Sequence, residues 1–397
     1  MTALSGWTEL DDRAVAYARA LAADAVQKVG NGHPGTAMSL APVAYSLFQR
    51  HLVHDPADPL WLGRDRFILS CGHSSLTLYI QLFLSGYGLE MKDLESFRTW
   101  GSLTPGHPEF GHTAGVEMTT GPLGQGVATA VGMAMAARYE RGLLDPDAPA
   151  HTSIFDHSIW VICSDGDLQE GVSAEAHSLA GTQELGNLNI IYDDNRISIE
   201  GDTHNAFTED VSARYRAYGW HVIEVPAATN GSVDLVALDA AMTAAKNQTA
   251  KPTLIRMSSV IAWPAPKAQG TAASHGSALG EEEVRATKLA LGLNPDEHFA
   301  MPPEILSHAR LVKERSAQSR MLWDVKFESW KSAHADKAAL LERLRTRGFP
   351  TGWDSDIPVF ATGKDVATRA ASGEVINAIA AKLPEFWGGS SDLAGSN

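Results

Sequence analysis

The acidic and amide residues that follow two apolar stretches near the middle of the chain could hold a metal ion. Asp165 follows the stretch 159–163 within the sequence SDGD, and Asn195 follows the stretch 188–192 within DDNR. A carboxylate and an amide oxygen suit Mg²⁺, which takes few protein ligands and completes its octahedron with phosphate oxygens and water. The backbone carbonyl of Ile197, in the turn after Asn195, could add another ligand.

Two strands and a helix between them would bring these residues together. Residues 159–163 and 188–192 predict buried strands, and residues 174–185 predict a helix with Ser173 as its N-cap, after turn residues at 164–166. A right-handed crossover makes such strands parallel, so Asp165 and Asn195 would both lie beyond carboxyl ends at one edge of the sheet. Gly166 would then let a diphosphate approach the backbone.

Each of these residues also has a purely structural interpretation. Asp165 could be a turn residue that caps a helix, and the sequence 193–195 could be a solvated turn. For either segment alone this interpretation is the more common one. The two segments at βαβ spacing favour a site for a metal ion and a diphosphate.

Histidines in loops form a second candidate site. His33 lies in GNGHPG, His73 in SCGHSS, His107 in TPGHPEF and His275 in SHGSALG. Loops at strand ends converge over one crevice in a doubly wound sheet, which predicts a polar, histidine-lined pocket. Two alternatives stay open: each histidine could be an ordinary surface residue, or some could bind zinc, although no pair has the short spacing of a structural zinc site.

The remaining segments predict the helices and strands that position these loops. The segment GPLGQG, residues 121–126, opens a helix over 127–140, and its glycines could let a cofactor ring lie against Gly121 and Leu123 or could only permit close helix packing. Strands are predicted at 66–69, 219–225 and 253–257, and helices at 11–29, 42–52, 233–247, 281–291 and 303–331. This alternation predicts an α/β fold, a doubly wound, mostly parallel sheet flanked by helices.

Composition limits the functional classes. A length of 397 residues predicts more than one domain, and 44% hydrophobic with 20% charged residues is typical of a soluble globular protein. The sequence has neither an apolar run of membrane-spanning length nor a secretory signal, so we expect a cytoplasmic protein with no membrane partner. A net charge of −15 opposes nucleic-acid binding. Cys71 and Cys163 are predicted to be reduced packing residues.

The loops described above resemble, in the same order, those of transketolases, which use thiamine diphosphate. The resemblance rests on NGHPG, LSCGH, TPGHPEF, TTGPLGQG, SDG…YDDN, SHGSALG, ATRAASGE and GGSSDLAGSN, and it covers essentially the whole chain. Ser164 stands where the family has the first glycine of GDG. The resemblance implies the thiamine-diphosphate-binding fold, with a diphosphate-binding domain at 1–332, an interdomain linker at 333–365 and the start of an incomplete pyrimidine-binding domain at 366–397.

The resemblance implies two cofactors, thiamine diphosphate and Mg²⁺, for which Ca²⁺ or Mn²⁺ could substitute. Asp165, Asn195 and the Ile197 carbonyl would hold the metal ion, His73, Gly166 and His275 would contact the diphosphate, Gly121 and Leu123 would flank the aminopyrimidine, and Ile199 would pack against the cofactor. Cofactor chemistry would thus be supplied at the predicted strand ends.

Further residues are implied for the substrate. His33, His107 and His275 would contact hydroxyls and transfer protons, Arg98, Arg369 and Ser396 would bind the sugar phosphate, and Asp392 would lie near the substrate hydroxyls. Arginine suits a phosphate because its guanidinium donates paired hydrogen bonds, although Arg369 could also be an ordinary solvated charge. Glu170 would belong to a carboxylate network that couples paired active sites, or would be an exposed glutamate at a helix start.

The implied reaction is the reversible transfer of a two-carbon ketol unit from a ketose phosphate to an aldose phosphate, in the pentose phosphate pathway. The family also uses a glutamate in the pyrimidine domain of a partner subunit, and no residue here matches it. We therefore expect a homodimer, or a second polypeptide that carries the pyrimidine and C-terminal domains, and little activity from this chain alone.

Other functions compete with this one. Dihydroxyacetone synthase and deoxyxylulose-phosphate synthase would share the cofactor site. The DxD formed by Asp165 and Asp167 also occurs in metal-dependent glycosyltransferases, but it leaves the histidine loops unexplained. A non-catalytic module for cofactor binding or dimerisation is the remaining alternative.

Overall fold

The computed structural model describes residues 4–149, 152–390 and 394. Its helices are α1 (Glu9–Val29), α2 (Pro34–Ser46), α3 (Leu76–Ser85), α4 (Met91–Glu95), α5 (Gln125–Leu144), α6 (Asp165–Gln169), α7 (Gly171–Thr182), α8 (Val211–Ala217), α9 (Leu235–Asn247), α10 (Ala273–Gly276), α11 (Glu281–Ala290), α12 (Pro303–Ala309), α13 (Val312–Ala333), α14 (Ala335–Arg345) and α15 (Thr368–Ala380). Its strands are β1 (Arg66–Leu69), β2 (Ile159–Ser164), β3 (Leu188–Asp194), β4 (Ile197–Ser198), β5 (Gly201–Asp202), β6 (His221–Val225) and β7 (Thr253–Ser258).

Five strands form one parallel sheet in the order β1-β2-β3-β7-β6. In the register of β2 and β3, Ser164 lies opposite Asp193, so the polar residues after both strands leave the sheet at the same edge. The short strands β4 and β5 form an antiparallel hairpin directly after β3. The predicted doubly wound parallel sheet is thereby observed in the described chain.

Alternate residues of the strands enter two separate hydrophobic cores. On β2, Trp160 and Ile162 pack into the core that contains α1, α2, α3 and α9, whereas Val161 and Cys163 pack into the core that contains α5, α7 and α8. Side chains alternate between the faces of a strand, so both faces of this sheet are covered by helices. Both cysteines are buried and free, as predicted.

The predicted strands are confirmed within about two residues, whereas two helix predictions are wrong. The helix predicted over 303–331 is two helices, α12 and α13, separated at residues 310–311. The helix predicted to begin at Pro42 begins at Pro34, and Pro42 lies inside it. Proline supplies no N–H to the carbonyl four residues earlier, which is that of Met38. The side chain of Arg19 donates to this carbonyl at 3.1 Å instead. The buried Arg19 therefore permits an internal proline, which no local pattern reveals.

The region after β2 also differs from its prediction. A short helix, α6, begins where a turn was predicted, and α7 begins at Gly171 with Glu170 as its N-cap instead of Ser173. Ser173 is used elsewhere, because its hydroxyl donates to the backbone carbonyl of Asp167. This contact holds α7 against the end of β2, where the candidate site lies.

The chain divides into two compact units. The first comprises the described residues up to Met135 together with His157–Met321, and it contains the whole parallel sheet. The second comprises Ala136–Asp156 and the described residues from Leu322 onward. None of the described helices combines the length and apolar composition that a membrane span needs. The predicted domain boundaries at 332 and 365 stay predictions.

A buried ion pair ties α1 to α11 in the first unit. Lys288 Nζ lies 2.6 Å from Asp24 Oδ1, and both side chains are 2% exposed. Replacing Lys288 with methionine would leave the Asp24 carboxylate buried without its cation. We expect Lys288→Met to lower the free energy of unfolding by about 3–5 kcal/mol, measured by urea denaturation.

The control for this variant is the double substitution Asp24→Leu with Lys288→Met. Removing both charges avoids an uncompensated buried ion, so the double variant should be more stable than Lys288→Met alone. A double variant whose loss equals the sum of the two single losses would show that the pair is not coupled.

Candidate active site

Asp165 lies where β2 ends at Ser164 and α6 begins. Its side chain is buried, and Oδ1 accepts a hydrogen bond of 2.5 Å from the hydroxyl of Tyr192 on β3. The second oxygen, Oδ2, is buried and has no hydrogen-bond partner among the described residues. Asp165 therefore keeps one oxygen available to a ligand.

Asn195 precedes Arg196 and lies at the same edge of the sheet. Its Nδ2 donates to Asp193 Oδ2 at 2.8 Å, and its Oδ1 accepts from the backbone N–H of Ile197 at 2.9 Å. Asp193 is held in turn by the hydroxyl of Ser259, 2.5 Å from Oδ1. These bonds fix the orientation of the amide, and Oδ1 keeps a second lone pair with which it could bind a metal ion.

Carboxylates are concentrated around this pair. Burial raises the pKa of Asp165 to about 7, and the nearby charges of Asp193 and Asp194 act in the same direction. Burial also raises the pKa of Asp193 to about 6. Grouping carboxylates out of water is unfavourable unless a cation compensates them. The described chain contains no cluster of three or more His, Cys, Asp or Glu side chains that could hold a metal ion alone, so ligand oxygens would have to complete the coordination.

Three of the predicted histidines meet in one cluster. The ring centroids of His33 and His73 are 5.0 Å apart, those of His73 and His275 are 5.0 Å apart, and those of His33 and His275 are 5.6 Å apart. They come from three loops far apart in sequence. The loop of His275 approaches α2 so closely that a Cβ at Gly35 would lie 2.5 Å from the backbone oxygen of Ser274. Glycine at that position is required for the cluster to form.

The environment of the cluster keeps its imidazoles neutral. Burial, together with the charges of His275, Arg98 and His107, lowers the pKa of His33 to about 4. Burial lowers the pKa of His73 well below its usual value and also lowers the pKa of His275. A neutral imidazole carries one N–H donor and one acceptor nitrogen, so the cluster can exchange protons with a ligand.

Arg98 and His107 lie beside this cluster. Arg98 Nη1 donates to Asn31 Oδ1 at 2.9 Å, and Nη2 lies 3.5 Å from His33 Nδ1. The ring of His107 covers Gly121, since a Cβ at Gly121 would lie 3.3 Å from it. Arg98 and His107 also line one cleft of about 650 Å³. The cleft therefore offers a cation and an imidazole to the same ligand.

Two apolar contacts join the histidine cluster to the Asp165 edge. A Cβ at Gly166 would lie 2.9 Å from the side chain of Leu123, and a Cβ at Gly276 would lie 2.9 Å from that of Ile199. Ile199 is otherwise 59% exposed, which is unusual for a large apolar side chain beside buried polar groups. Leu123 therefore lies beside the residue after Asp165, and Ile199 lies beside the residue after His275. That the predicted metal, diphosphate and histidine residues surround one crevice stays a prediction.

Three of the predicted site residues have buried polar atoms without partners among the described residues. Asp165 Oδ2, His73 Nε2 and His275 Nδ1 are all buried and have no hydrogen-bond partner in the described part of the chain. Such atoms are uncommon because burying an unpaired polar group is costly. A divalent cation bound to a diphosphate would supply a positive charge to the carboxylate and acceptor oxygens to imidazole N–H groups. The residues therefore fit such a group.

Asp167 is a structural residue that the sequence patterns did not single out for this purpose. Its side chain is fully buried, Oδ1 accepts from Ser70 Oγ at 2.7 Å and from the backbone N–H of Gly124 at 2.9 Å, and Oδ2 accepts from the backbone N–H of Ser164 at 3.0 Å. Asp167 therefore holds the ends of β1 and β2 and the glycine-rich loop together. With both oxygens used in this way, it is not free to bind a metal ion, which argues against the DxD alternative.

The other predicted residues lie elsewhere. Glu170 is exposed. A Cβ added at Gly124 would lie 2.7 Å from the Cβ of Glu170, so the two residues are close neighbours. Arg369 is exposed and is the second residue of α15, in the second unit. Asp392 and Ser396 lie outside the described residues. The roles of all four stay predictions.

Comparison with known proteins agrees with this geometry. Residues 10–350 match the family "Transketolase, thiamine diphosphate binding domain". The chain belongs to the transketolase family. Thiamine diphosphate, used with a divalent metal ion, is the cofactor of this family, which confirms the predicted family and cofactor.

Curated transketolases resemble most of the chain. The transketolase of Mycobacterium leprae is 59% identical over 392 residues, which cover 98% of this chain and 56% of that protein. The transketolase of Geobacillus stearothermophilus is 45% identical over 389 residues, which cover 98% of this chain and 57% of that protein. The chain thus spans little more than half the length of these relatives.

Solved transketolase structures share the fold. A Pichia stipitis transketolase in complex with sedoheptulose 7-phosphate has a TM-score of 0.91 at 41% identity, and the alignment covers 98% of this chain and 56% of that one. The transketolase from Leishmania mexicana has a TM-score of 0.91 at 38% identity, covering 97% of this chain and 56% of that one. The predicted transketolase fold is therefore confirmed, whereas the roles of individual residues stay predictions.

Asp167 gives a testable prediction about the candidate site. Each of its oxygens accepts from a backbone N–H, and an asparagine side chain has only one acceptor oxygen. In Asp167→Asn, one buried N–H would face the amide NH₂ group. We expect the free energy of unfolding to fall by about 1–3 kcal/mol, measured by urea denaturation.

Ser164→Gly is the matched control for Asp167→Asn. It keeps the backbone N–H that donates to Asp167, and it removes only a hydroxyl that lies 3.4 Å from Oδ2. It also restores the glycine that opens the family's GDG sequence. The expected loss is only a few tenths of a kcal/mol, about the cost of glycine at an N-cap. If both variants lost the same stability, the proposed role of the Asp167 oxygens would be wrong.

The pKa of His33 gives a prediction about pH. Its folded value of about 4 lies below its value in the unfolded chain, so the unfolded state binds more protons between the two. The contribution of neutral His33 to stability is therefore complete above about pH 6.5 and is lost as the pH falls toward 4. NMR titration of the His33 imidazole should show a neutral ring at pH 6.

Arg98 provides the test of this electrostatic account, because its charge helps to lower the pKa of His33. Arg98→Gln should raise the pKa of His33, whereas Arg285→Gln, which removes an exposed charge paired with Asp296, should leave it unchanged. A His33 ring that titrates near pH 6.5 in the unaltered chain would contradict the prediction.

Proposed function

We propose that this chain binds thiamine diphosphate with Mg²⁺ at the Asp165 edge of the sheet and takes part in ketol transfer between sugar phosphates. The observation that carries the proposal is the set of buried, unpartnered atoms Asp165 Oδ2, His73 Nε2 and His275 Nδ1. Pichia stipitis transketolase structures with xylulose 5-phosphate, sedoheptulose 7-phosphate and fructose 6-phosphate support the substrate class by similarity.

The cofactor would be held from both sides of the crevice. Asp165, Asn195 and the Ile197 carbonyl bind the metal ion, and His73, His275 and Gly166 contact the diphosphate. Gly121 and Leu123 lie against the aminopyrimidine, and the exposed side chain of Ile199 supplies an apolar surface to the cofactor. When bound, thiamine diphosphate supplies a nucleophilic carbon and accepts the electron pair of the broken C–C bond.

The protein residues position the sugar and move protons. His33, His107 and His275 are uncharged near neutral pH because burial lowers the pKa of each. Each can accept a proton from a substrate hydroxyl or return one, as general acid–base catalysis requires. His33 and His275 lie in one cluster and His107 acts on His33 from beside it, so both sugar substrates would use the same groups.

Arg98 binds the phosphate end of the sugar. Its Nη groups contact Asn31 and His33, while its Nε is buried without a partner in the described chain. A phosphate oxygen would satisfy that N–H and gain a charge-assisted hydrogen bond. Arg369, Ser396 and Asp392 complete the substrate contacts in this proposal.

A partner subunit completes the site in the same proposal. The fully exposed Trp100 and the exposed Phe110 each line a cleft that also includes His107. Such apolar side chains suit burial against another chain, in a homodimer or with a second polypeptide that carries the pyrimidine and C-terminal domains. Glu170 couples the paired sites.

Cofactor binding tests the first half of the proposal. Isothermal titration calorimetry of the chain with thiamine diphosphate and Mg²⁺ should detect binding. Asp165→Ala should weaken it about 100-fold or more, because even outer-shell partners of a metal contribute ~10–100-fold. Glu200→Gln, which removes an exposed carboxylate from the neighbouring hairpin, should leave binding unchanged.

Ketol transfer tests the second half. The C-terminal part of the Mycobacterium leprae relative is added to the chain, and transfer from a ketose phosphate to an aldose phosphate is measured. We expect activity with the unaltered chain and with Glu200→Gln, and none with Asp165→Ala. Cofactor binding that survives Asp165→Ala unchanged would disprove the metal site, and binding without any transfer would disprove the catalytic part.

A further inference from the structure

A second cavity lies at the opposite edge of the sheet from the histidine cluster. It has a volume of about 530 Å³ and is lined by side chains that include Arg50, His51, Asp239, Lys246, Arg315 and Gln49; we refer to it as the basic cavity. Lys246 lies at the end of α9, and the chain then enters β7 at its amino end. The basic cavity therefore belongs to the amino edge, whereas Asp165 follows the carboxyl end of β2.

The positive charges of the basic cavity exceed its negative charges. Asp239 Oδ1 lies 2.9 Å from Arg50 Nε and 2.9 Å from His51 Nε2, so one carboxylate serves both side chains. Lys246 Nζ donates to the backbone oxygen of His51 at 3.0 Å, and Arg315 Nη2 donates to that of Phe48 at 2.8 Å. In the described structure neither Lys246 nor Arg315 forms an ion pair with a carboxylate.

This excess is unusual in the context of the chain. The protein carries a formal net charge of −15, yet Arg50, Lys246 and Arg315 line this cavity with Asp239 as the one lining carboxylate. The buried Asp65 lies behind the lining and interacts with Lys246. Burial and the charge of Arg50 lower the pKa of Arg315, as expected for cations held close together. Clustering like charges is unfavourable unless an anion compensates them.

A polar donor completes the lining. The amide nitrogen of Gln49 is buried and has no hydrogen-bond partner in the part of the chain that the structure describes. An unpartnered donor next to two unpaired cations matches the needs of an oxyanion, which accepts several hydrogen bonds at once. A phosphate monoester carries close to two negative charges near neutral pH, which is opposite in sign to the excess among the lining side chains.

We propose that the basic cavity binds a phosphate-bearing anion. Arg315 and Lys246 contact the phosphate, and Gln49 donates to one of its oxygens. The volume admits a small organic group beside the phosphate. Since the cavity lies at the amino edge, its ligand acts at a site separate from the candidate active site and does not depend on the proposed reaction.

Thr243 allows a clean test, because it lines the cavity with an exposed side chain on α9. Thr243→Asp places a carboxylate among the cations, and Thr243→Asn introduces a neutral side chain of nearly the same size. Calorimetric titrations use inorganic phosphate, ribose 5-phosphate and unphosphorylated ribose as separate ligands. Thermal unfolding of each variant checks that the first unit is intact.

We expect inorganic phosphate or ribose 5-phosphate to bind the unaltered chain, and ribose not to bind. Thr243→Asp should weaken binding about tenfold or more, and Thr243→Asn should have little effect. Lys246→Met should also weaken it, whereas Lys251→Met, an exposed lysine outside the cavity lining, should not.

The ligands distinguish the source of the phosphate. Equal affinity for inorganic phosphate and ribose 5-phosphate would support the site with free phosphate as its ligand. Tighter binding of ribose 5-phosphate that both Thr243→Asp and Lys246→Met weaken would support it with a phosphorylated metabolite as its ligand. Ribose 5-phosphate binding that these variants leave unchanged would belong to the candidate active site. The absence of binding, or binding that Thr243→Asp and Lys246→Met leave unchanged, would overturn the proposal, because the phosphate would then be bound elsewhere.

Discussion

The burial of carboxylates at the carboxyl edge of the sheet is the constraint on which the candidate site depends. Asp165 and Asp167 follow the same strand, but their environments differ. Asp167 receives hydrogen bonds on both oxygens and connects three loops, whereas Asp165 receives them mainly on one oxygen and leaves the other without a partner. One carboxylate is therefore structural and the other is available to a ligand.

The histidine cluster also contains buried polar atoms without hydrogen-bond partners among the described residues. Bringing three imidazoles within 5.6 Å of one another in a partly buried crevice favours their neutral forms and leaves two ring nitrogens without partners. Such an arrangement costs free energy in the absence of a ligand, since each buried polar atom has lost its water. Functional sites commonly show this cost, which a bound ligand would recover.

The two edges of the sheet differ in charge. The carboxyl edge combines buried carboxylates with neutral histidines. The amino edge carries the basic cavity, formed by α9, α13 and the π-helical segment Leu47–His51 that follows α2. A parallel sheet separates these edges because all its strands run in one direction. The same fold can therefore present two chemically distinct sites, one to a metal-bound diphosphate and one to a phosphate alone.

Much of the sheet and of the crevice could be predicted from local patterns. Short β-branched runs such as 159–163 indicate strands because burial on both faces requires continuous apolar residues, and their parallel connection places Asp165 and Asn195 at one edge. The helix that starts at Pro34 could not be predicted in this way, because the carbonyl freed by Pro42 is satisfied by Arg19 from another helix.

The sequence by itself determined the order of the strands along the chain and the glycine-rich loops with their histidines. It also indicated the cofactor-binding family and, with it, the residues that can do chemistry here. Only the tertiary structure decided that Asp167 is a fully engaged structural carboxylate, that Tyr192 and Asp193 orient the candidate metal ligands, and that Lys246 and Arg315 share a cavity. The physical reason is that hydrogen-bond partners and charge neighbours are set by contacts between distant segments, whereas periodicity reports only on neighbours along the chain.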